Sequence, residues 1–165
     1  IRFADVLLMA AEAEIQAGGD FEKAQSYVNL VRVRAGKPES MVYTYKDATK
    51  PMGGFTTTPA ANYKVSAYPT GSFAKLGKDA ALQAVYFERK IELAMEGHRF
   101  FDLSRWGIAD QVLNAYIDFE GKVTPDVRGG KFVKGVNEYF PIPQTQIDVS
   151  RKNGTSSLTQ NPGYQ

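Results

Sequence analysis

Three glutamates recur at every fourth position of one densely charged stretch: Glu88, Glu92 and Glu96. A helix through this stretch places the three carboxylates on one face, where like charges repel. Two such carboxyls are the equipment of glycoside hydrolysis, in which one acts as acid and the other as base or nucleophile. A hydrolase that uses Glu88 and Glu92 is therefore one hypothesis.

The alternative for these carboxylates is structural, since three arginines stand close by in the sequence: Arg89, Arg99 and Arg105. Arg99 is three residues from both Glu96 and Asp102, the spacing of neighbours on one helix face. A partly buried ion-pair network is the favoured interpretation, because most charge clusters serve structure rather than catalysis.

Other catalytic or cofactor sites find little support. The sole histidine, His98, lies near Asp102 and Ser104. A helix cannot arrange three side chains within so short a span into a nucleophilic relay. One histidine with scattered carboxylates and no cysteine has no metal-site spacing, and no phosphate-binding loop or dinucleotide motif occurs. We therefore predict neither a metal nor a cofactor.

Tyrosines in the segment 37–78 are the candidate ligand-binding residues: Tyr43, Tyr45, Tyr63 and Tyr68. The segment is punctuated by Gly and Pro, and it carries six lysines against two acids. Aromatic faces among polar neighbours suit sugar rings, which present C–H faces and hydroxyl rims. A long irregular segment is often functional. The alternative is that these tyrosines only pin a long loop to the helices.

Helices must position these residues. Apolar residues spaced by threes and fours predict a first helix over 2–17 with the stripe Phe3, Val6, Leu7, Ala10, Ala13 and Ala17. Gly18-Gly19 ends it, and Asp20 caps a second helix that runs to Ala35. The resulting helical hairpin resembles a tetratricopeptide unit, although no second copy follows at a period of about 34 residues.

A third helix is predicted from Asp79 to about Glu96, with its main apolar stripe at Ala84, Phe87, Ile91 and Ala94, broadened by Leu82, Val85, Tyr86 and Leu93. Further helices are predicted over 98–106, 108–119 and 144–149, a short strand over 41–45, and a coil-like tail from Ser150. The predicted fold class is mainly α: a tetratricopeptide-like hairpin plus further helices with long irregular loops, in one domain over 1–165.

Composition excludes several classes of function. The chain of 165 residues has 20 basic and 18 acidic residues, for a net charge of +2. That balance does not suit a nucleic-acid binder that works by neutralising phosphates. No apolar run approaches the length of a membrane span. Because the chain opens at Ile1 inside a helical pattern, we expect it to be part of a longer protein.

Three blocks resemble the C-terminal domain of the SusD/RagB family. They are Ile1–Ala13, the stretch Glu88–Leu93 with Glu96–Gly107, and the segment from Pro141-Ile142-Pro143 to Gln160-Asn161-Pro162-Gly163-Tyr164. They follow the family's order and extend from the first residues of the chain to the last.

The resemblance implies a non-enzymatic surface lipoprotein of the Bacteroidota outer membrane. Such a protein binds a glycan or another nutrient and delivers it to a SusC-like TonB-dependent transporter. The lipid anchor would lie in an N-terminal part outside this sequence. The family blocks identify scaffold, so the four tyrosines remain a prediction from residue type alone. A tetratricopeptide-like protein-interaction scaffold and the hydrolase remain as alternatives.

Overall fold

The computed structural model describes residues 1–164. It contains six α-helices: α1 (Phe3–Gln16), α2 (Phe21–Ala35), α3 (Ser72–Glu92), α4 (His98–Arg105), α5 (Ala109–Glu120) and α6 (Gln144–Val149). Two short hairpins accompany them, formed by β1 (Tyr43–Tyr45) with β2 (Phe55–Pro59) and by β3 (Arg151–Lys152) with β4 (Thr155–Ser156). The mainly α prediction is confirmed. The chain divides into two compact units, Ile1–Glu96 and Gly97–Gln165.

Helices α1 and α2 form the predicted hairpin. Gly18 makes the turn with φ of +71°, a left-handed conformation that glycine adopts without strain. The Asp20 carboxylate accepts hydrogen bonds from the backbone N–H groups of Glu22 and Lys23, at 2.8 and 3.3 Å. This cap satisfies amide groups that the first turn of α2 leaves without partners, and such caps stabilise a helix by about 1 kcal/mol.

The face of α1 that packs into the core differs from the predicted stripe. The buried apolar residues of α1 are Leu8, Ala11 and Ile15, whereas Phe3 is 74% exposed and Val6 is 48% exposed. Asp5 and Glu12 are buried on the same helix. The prediction was wrong because it assigned burial to the face of α1 that has no charged residues. The face that packs into the core carries Asp5, whose ion-pair partner lies on another helix.

Helix α3 covers the hairpin and completes the core of the first unit. Buried side chains of α1 and α2 meet those of α3 in one cluster, which includes Leu8, Ile15, Val28, Val31, Phe73 and Val85. The predicted stripe of α3 was also wrong in part, since Phe87 and Ile91 are about half exposed. Leu82, Val85 and Leu93, which broaden the predicted stripe, are buried as predicted, and the charged Glu88 and Arg89 are buried beside them.

The ends of α3 differ from the prediction as well. The helix begins at Ser72 and contains a kink at Gly77, whose φ of 75° and ψ of 175° are not helical. Phe73, in the first turn, is fully buried in the core. Its backbone N–H donates a hydrogen bond to the Oε1 of Gln25 on α2 at 2.9 Å. The helix ends at Glu92, and Leu93 already has non-helical angles.

The second unit has a smaller core around α4 and α5. Leu103, Ala109 and Phe132 are buried, and Phe100 and Trp106 pack against them. The Asn114 side chain holds the segment of Phe132 in place: its amide donates to the Phe132 carbonyl at 2.9 Å, and its oxygen accepts from the Phe132 N–H at 2.8 Å.

The tail, predicted as coil, contains the hairpin β3–β4. Asn153 and Gly154 make its two-residue turn with φ of +53° and +83°, the conformation that Asn-Gly pairs favour in hairpins. Across the described residues, the helices are all too short or too polar to cross a lipid bilayer.

Candidate functional site

The hairpin β1–β2 presents a stacked pair of aromatic rings. Tyr45 on β1 lies opposite Phe55 on β2, with ring centroids 5.2 Å apart and ring planes 25° from parallel. Tyr45 is 48% exposed and Phe55 is 54% exposed. Each ring covers one face of the other in this stack, and the surface that the two rings leave to solvent is an apolar platform. The pair lies at the end of the hairpin where the connection 46–54 begins and ends.

Phe55, the partner of Tyr45 in this stack, was not among the predicted binding residues. The signal was present in the run Phe55-Thr56-Thr57-Thr58, which follows two glycines and precedes Pro59. Aromatic and β-branched residues between such breakers are typical of a strand. The segment 41–45 was predicted as a strand, and β2 is its partner.

Tyr43 and Tyr63 flank the start of β1. The Tyr43 hydroxyl donates to the Pro38 carbonyl at 3.0 Å, and the Tyr63 hydroxyl donates to the Val42 carbonyl at 3.3 Å. Tyr43 lies opposite Pro59 across the hairpin. Both hydroxyls are thus engaged with backbone, and both rings retain exposed surface. The structure brings Tyr43, Tyr45 and Tyr63 to the hairpin β1–β2, residues 43–59, which we call the ribbon.

Tyr68 has a different environment from the other three tyrosines. Its ring meets Phe73 edge to face at 5.3 Å between centroids, and the Arg32 guanidinium lies 4.6 Å from its ring centroid. Its backbone N–H donates to the Asn29 side chain at 2.7 Å. Because both its ring and its backbone are engaged with α2 and the core cluster, Tyr68 anchors the end of the loop segment to the helices.

The other face of the hairpin is polar. The hydroxyls of Thr44 and Thr56 are hydrogen-bonded across the two strands. In the connection, Asp47 accepts hydrogen bonds from the Thr49 hydroxyl at 2.7 Å and from the Thr49 N–H at 2.9 Å. These two bonds, the hydroxyl bond first, lower the pKa of the Asp47 carboxyl below its ordinary value. They also restrict the conformation of the connection 46–54, which forms the tip of the hairpin.

The carboxylates of α3 are ion-paired with arginines of α2 and of the chain start. Glu88 is 3% exposed, and its carboxylate is paired with the Arg32 guanidinium at 2.7 Å. One carboxylate oxygen of Glu92 is paired with the Arg2 guanidinium at 2.8 Å, and the other oxygen is paired with Arg34. Arg2 also binds Glu96, with Nε to carboxylate at 2.9 Å. The structural interpretation of these glutamates is supported, with a different set of arginines from the one predicted.

The arginines predicted for this network have other partners. Arg89 pairs with Asp5 at 2.9 Å, and Arg105 pairs with Asp102 at 2.9 Å. The Arg99 guanidinium lies 5.8 Å from the Trp106 ring centroid, and burial lowers its pKa. Proximity in sequence therefore did not identify the ion-pair partners, because the arginines that bind Glu88 and Glu92 are 56 to 90 residues away in the chain.

Glu88 and Glu92 do border a cavity of about 290 Å³, together with Phe87, Ile91, Val65 and Lys64. One oxygen of Glu88 and both oxygens of Glu92, however, are bound by guanidinium groups. In a glycoside hydrolase the two carboxyl groups must instead face the glycosidic bond, one to donate a proton and the other to act as base or nucleophile. The geometry therefore gives the carboxylate pair a structural role. Within residues 1–164, no three His, Asp or Glu side chains are grouped as metal ligands.

The chain resembles known proteins in sequence and in fold. The model of the SusD family matches residues 1–164. SusD-like protein P25 from Formosa agariphila is 32% identical over 164 residues, which are 99% of this chain and 24% of that protein.

A crystal structure of a SusD homolog from Bacteroides thetaiotaomicron superposes with a TM-score of 0.66 and 28% identity, over 99% of this chain and 26% of that one. The mainly α fold is thus shared with part of a larger protein, and the chain spans about a quarter of the length of the relatives it matches. The chain belongs to the SusD family.

Proposed function

We propose that this chain is part of a glycan-capture protein, which binds oligosaccharide at the cell surface and passes it to a SusC-like TonB-dependent transporter. The observation that carries the proposal is the exposed stack of Tyr45 on Phe55, in a chain of the SusD family. The protein would reside at the outer membrane, held by a lipid anchor that residues 1–165, which have no cysteine, do not supply.

The ribbon has the physical properties that sugar binding requires. A pyranose ring presents axial C–H bonds on its faces, and these pack against aromatic rings, burying apolar surface on both partners. Tyr and Phe have only two side-chain torsions each, so ordering them costs little entropy. The stack orders Tyr45 and Phe55 further before any ligand arrives. Tyr43 and Tyr63 lie at the start of β1, with their hydroxyls bound to the carbonyls of Pro38 and Val42.

Capture without hydrolysis is the function that these residues favour. The carboxylates that could act as a catalytic pair, Glu88 and Glu92, are ion-paired with arginines. Those ion pairs fasten α3 to α2 and to the chain start. We therefore propose a non-enzymatic role in which the helices support the ribbon.

A tetratricopeptide-like interaction scaffold is the second candidate. One observation favours it: a cavity of about 410 Å³ between α1 and α2, lined by apolar side chains that include Phe3, Leu7 and Leu30. An apolar groove on a helical hairpin suits an extended peptide or a helix. This candidate predicts that binding does not depend on the ribbon.

The experiment is affinity electrophoresis of the protein through gels that each contain one polysaccharide, with release of reducing ends assayed in parallel. The test variant is Tyr45→Ala/Phe55→Ala, which removes the platform. The matched control is Tyr116→Ala/Phe119→Ala, which removes an exposed Tyr and an exposed Phe from α5.

We expect at least one polysaccharide to retard the protein without release of reducing ends, and we expect the ribbon variant to lose about tenfold in affinity. The control should bind like the wild type. Retardation that survives the ribbon variant would move the site elsewhere. Release of reducing ends would overturn the non-enzymatic role, and peptide binding without any glycan binding would favour the scaffold.

A further inference from the structure

The positive charge of the protein is concentrated in the segment that carries the ribbon. Residues 37–78 hold six lysines and two acids, a net charge of +4, whereas the whole chain has a net charge of +2. The remaining residues therefore have a net charge of −2. Two of the six lysines, Lys75 and Lys78, lie on α3, and the other four lie in the part of the segment that contains the ribbon, where their charge favours an anionic partner.

The lysines of this segment form no ion pairs with residues 1–164. Arginines of the first unit each bind a carboxylate: Arg2, Arg32, Arg34 and Arg89. In contrast, four exposed lysines have no ion-pair partner among the residues that the structure describes: Lys37, Lys46, Lys50 and Lys64. Their charge is available to a ligand.

Two of these lysines lie at the same end of the ribbon as the aromatic stack. Lys46 follows Tyr45 directly, and its N–H donates to the Gly54 carbonyl, next to Phe55, at 3.0 Å. Lys50 lies in the connection, with its N–H donating to the Asp47 carbonyl at 3.0 Å. Asp47, the one acid of this connection, is hydrogen-bonded to Thr49. This end of the ribbon therefore combines the apolar platform with two exposed lysines.

We propose that the ribbon recognises an anionic glycan, with the sugar ring on Tyr45 and Phe55 and its carboxylate or sulfate group near Lys46 and Lys50. This inference rests on the proposed function and names the substrate class of the same site. A neutral sugar would use the platform alone, and the charge of both lysines would contribute nothing to its binding. An anionic polymer gains the stacking and the charge attraction together, and the attraction accelerates its association.

The test uses affinity electrophoresis with four anionic polysaccharides (alginate, polygalacturonate, κ-carrageenan and chondroitin sulfate) and three neutral ones (starch, laminarin and xyloglucan). The anionic polymer that retards the protein most is then compared with its own uncharged form, made by carboxyl reduction or by desulfation. The two treatments distinguish a carboxylate from a sulfate as the recognised group, because the sugar backbone stays the same.

The test variant is Lys46→Gln/Lys50→Gln, and the matched control is Lys122→Gln/Lys131→Gln, which removes the same charge from exposed lysines of the second unit. We expect the test variant to lose about three- to tenfold in affinity for the anionic polymer, since exposed charge pairs are individually weak. Its affinity should also depend less on salt. The control should behave like the wild type, and Tyr45→Ala/Phe55→Ala should weaken the same binding.

Failure of this inference is distinguishable from failure of the proposed function. If neutral polysaccharides bind as well as anionic ones through Tyr45 and Phe55, and Lys46→Gln/Lys50→Gln changes nothing, the substrate class is wrong and glycan capture stands. If both lysine variants weaken binding equally, the attraction is a property of net charge and the inference is overturned. Absence of retardation by all seven polysaccharides would overturn both.

Discussion

Arg89 and Asp5 form an ion pair inside the core of the first unit. The Arg89 guanidinium on α3 binds the Asp5 carboxylate on α1 at 2.9 Å, and the two side chains are only 1% and 5% exposed. They are 84 residues apart in the sequence. The pair therefore joins the start of the helical hairpin to the helix that covers it, at a depth where an unpaired charge is costly.

The first prediction concerns this pair. We expect Asp5→Asn and Arg89→Met each to lower the free energy of unfolding by about 3–5 kcal/mol, because each breaks a buried ion pair between α1 and α3. The double variant Asp5→Asn/Arg89→Met should lose less than the sum of the two single losses, since the second substitution no longer breaks the pair. Urea denaturation of the four proteins measures the coupling. Additive losses would contradict a direct pair.

The second prediction separates structure from catalysis at the carboxylates of α3. We expect Glu88→Gln to lower the free energy of unfolding by about 1–3 kcal/mol, because Arg32 loses its buried carboxylate partner. Glu39→Gln, at an exposed glutamate, is the control and should be nearly neutral. Urea denaturation gives the stabilities, and a reducing-end assay gives the activity. An activity present in the wild type and lost in a stable Glu88→Gln protein would restore the hydrolase hypothesis.

The third prediction divides the four candidate tyrosines by role. Tyr68→Ala should lower the free energy of unfolding by about 1–3 kcal/mol, since it removes contacts with Phe73 and Arg32. Tyr68→Phe should be nearly neutral, because the Tyr68 hydroxyl has no hydrogen bond with the described residues. Thermal unfolding and affinity electrophoresis check both effects. A folded Tyr68→Ala protein with reduced glycan affinity would instead place Tyr68 in the binding surface.

The fourth prediction concerns the kink of α3. Gly77 has φ of 75°, and a Cβ atom added there would meet no other atom within 4 Å. Gly77→Ala should therefore destabilise by conformational strain alone, by about 1–3 kcal/mol. Gly53→Ala is the matched control, because the space is equally open there and φ is not positive. We expect that variant to be neutral or slightly stabilising. Equal effects of the two variants in thermal unfolding would contradict the kink.

The sequence by itself determined the elements that depend on local interactions. The hairpin of α1 and α2 was predictable because its stop at Gly18 and its cap at Asp20 act within one turn of the chain. The positions of α4, α5 and α6 followed within a few residues for the same reason. Family membership was also readable, since the blocks that resemble the SusD/RagB family are continuous stretches of sequence.

Only the tertiary structure decided which faces are buried. The predicted stripes of α1 and α3 favoured uncharged faces, including Phe3 and Phe87, which are exposed. The faces that pack carry Asp5, Glu88 and Arg89. A charge can be buried when a partner of opposite charge lies within hydrogen-bond distance, and that partner is on another helix, tens of residues away.

The candidate site, too, was only partly predictable from the sequence. The residue types and the loop composition indicated aromatic residues for sugar binding, and Tyr45 was among them. Its stacking on Phe55 depends on the register of β1 with β2, and the anchoring of Tyr68 depends on packing against α2. Such contacts join residues that are distant in sequence, so no local pattern encodes them, and they form only when the elements pack together.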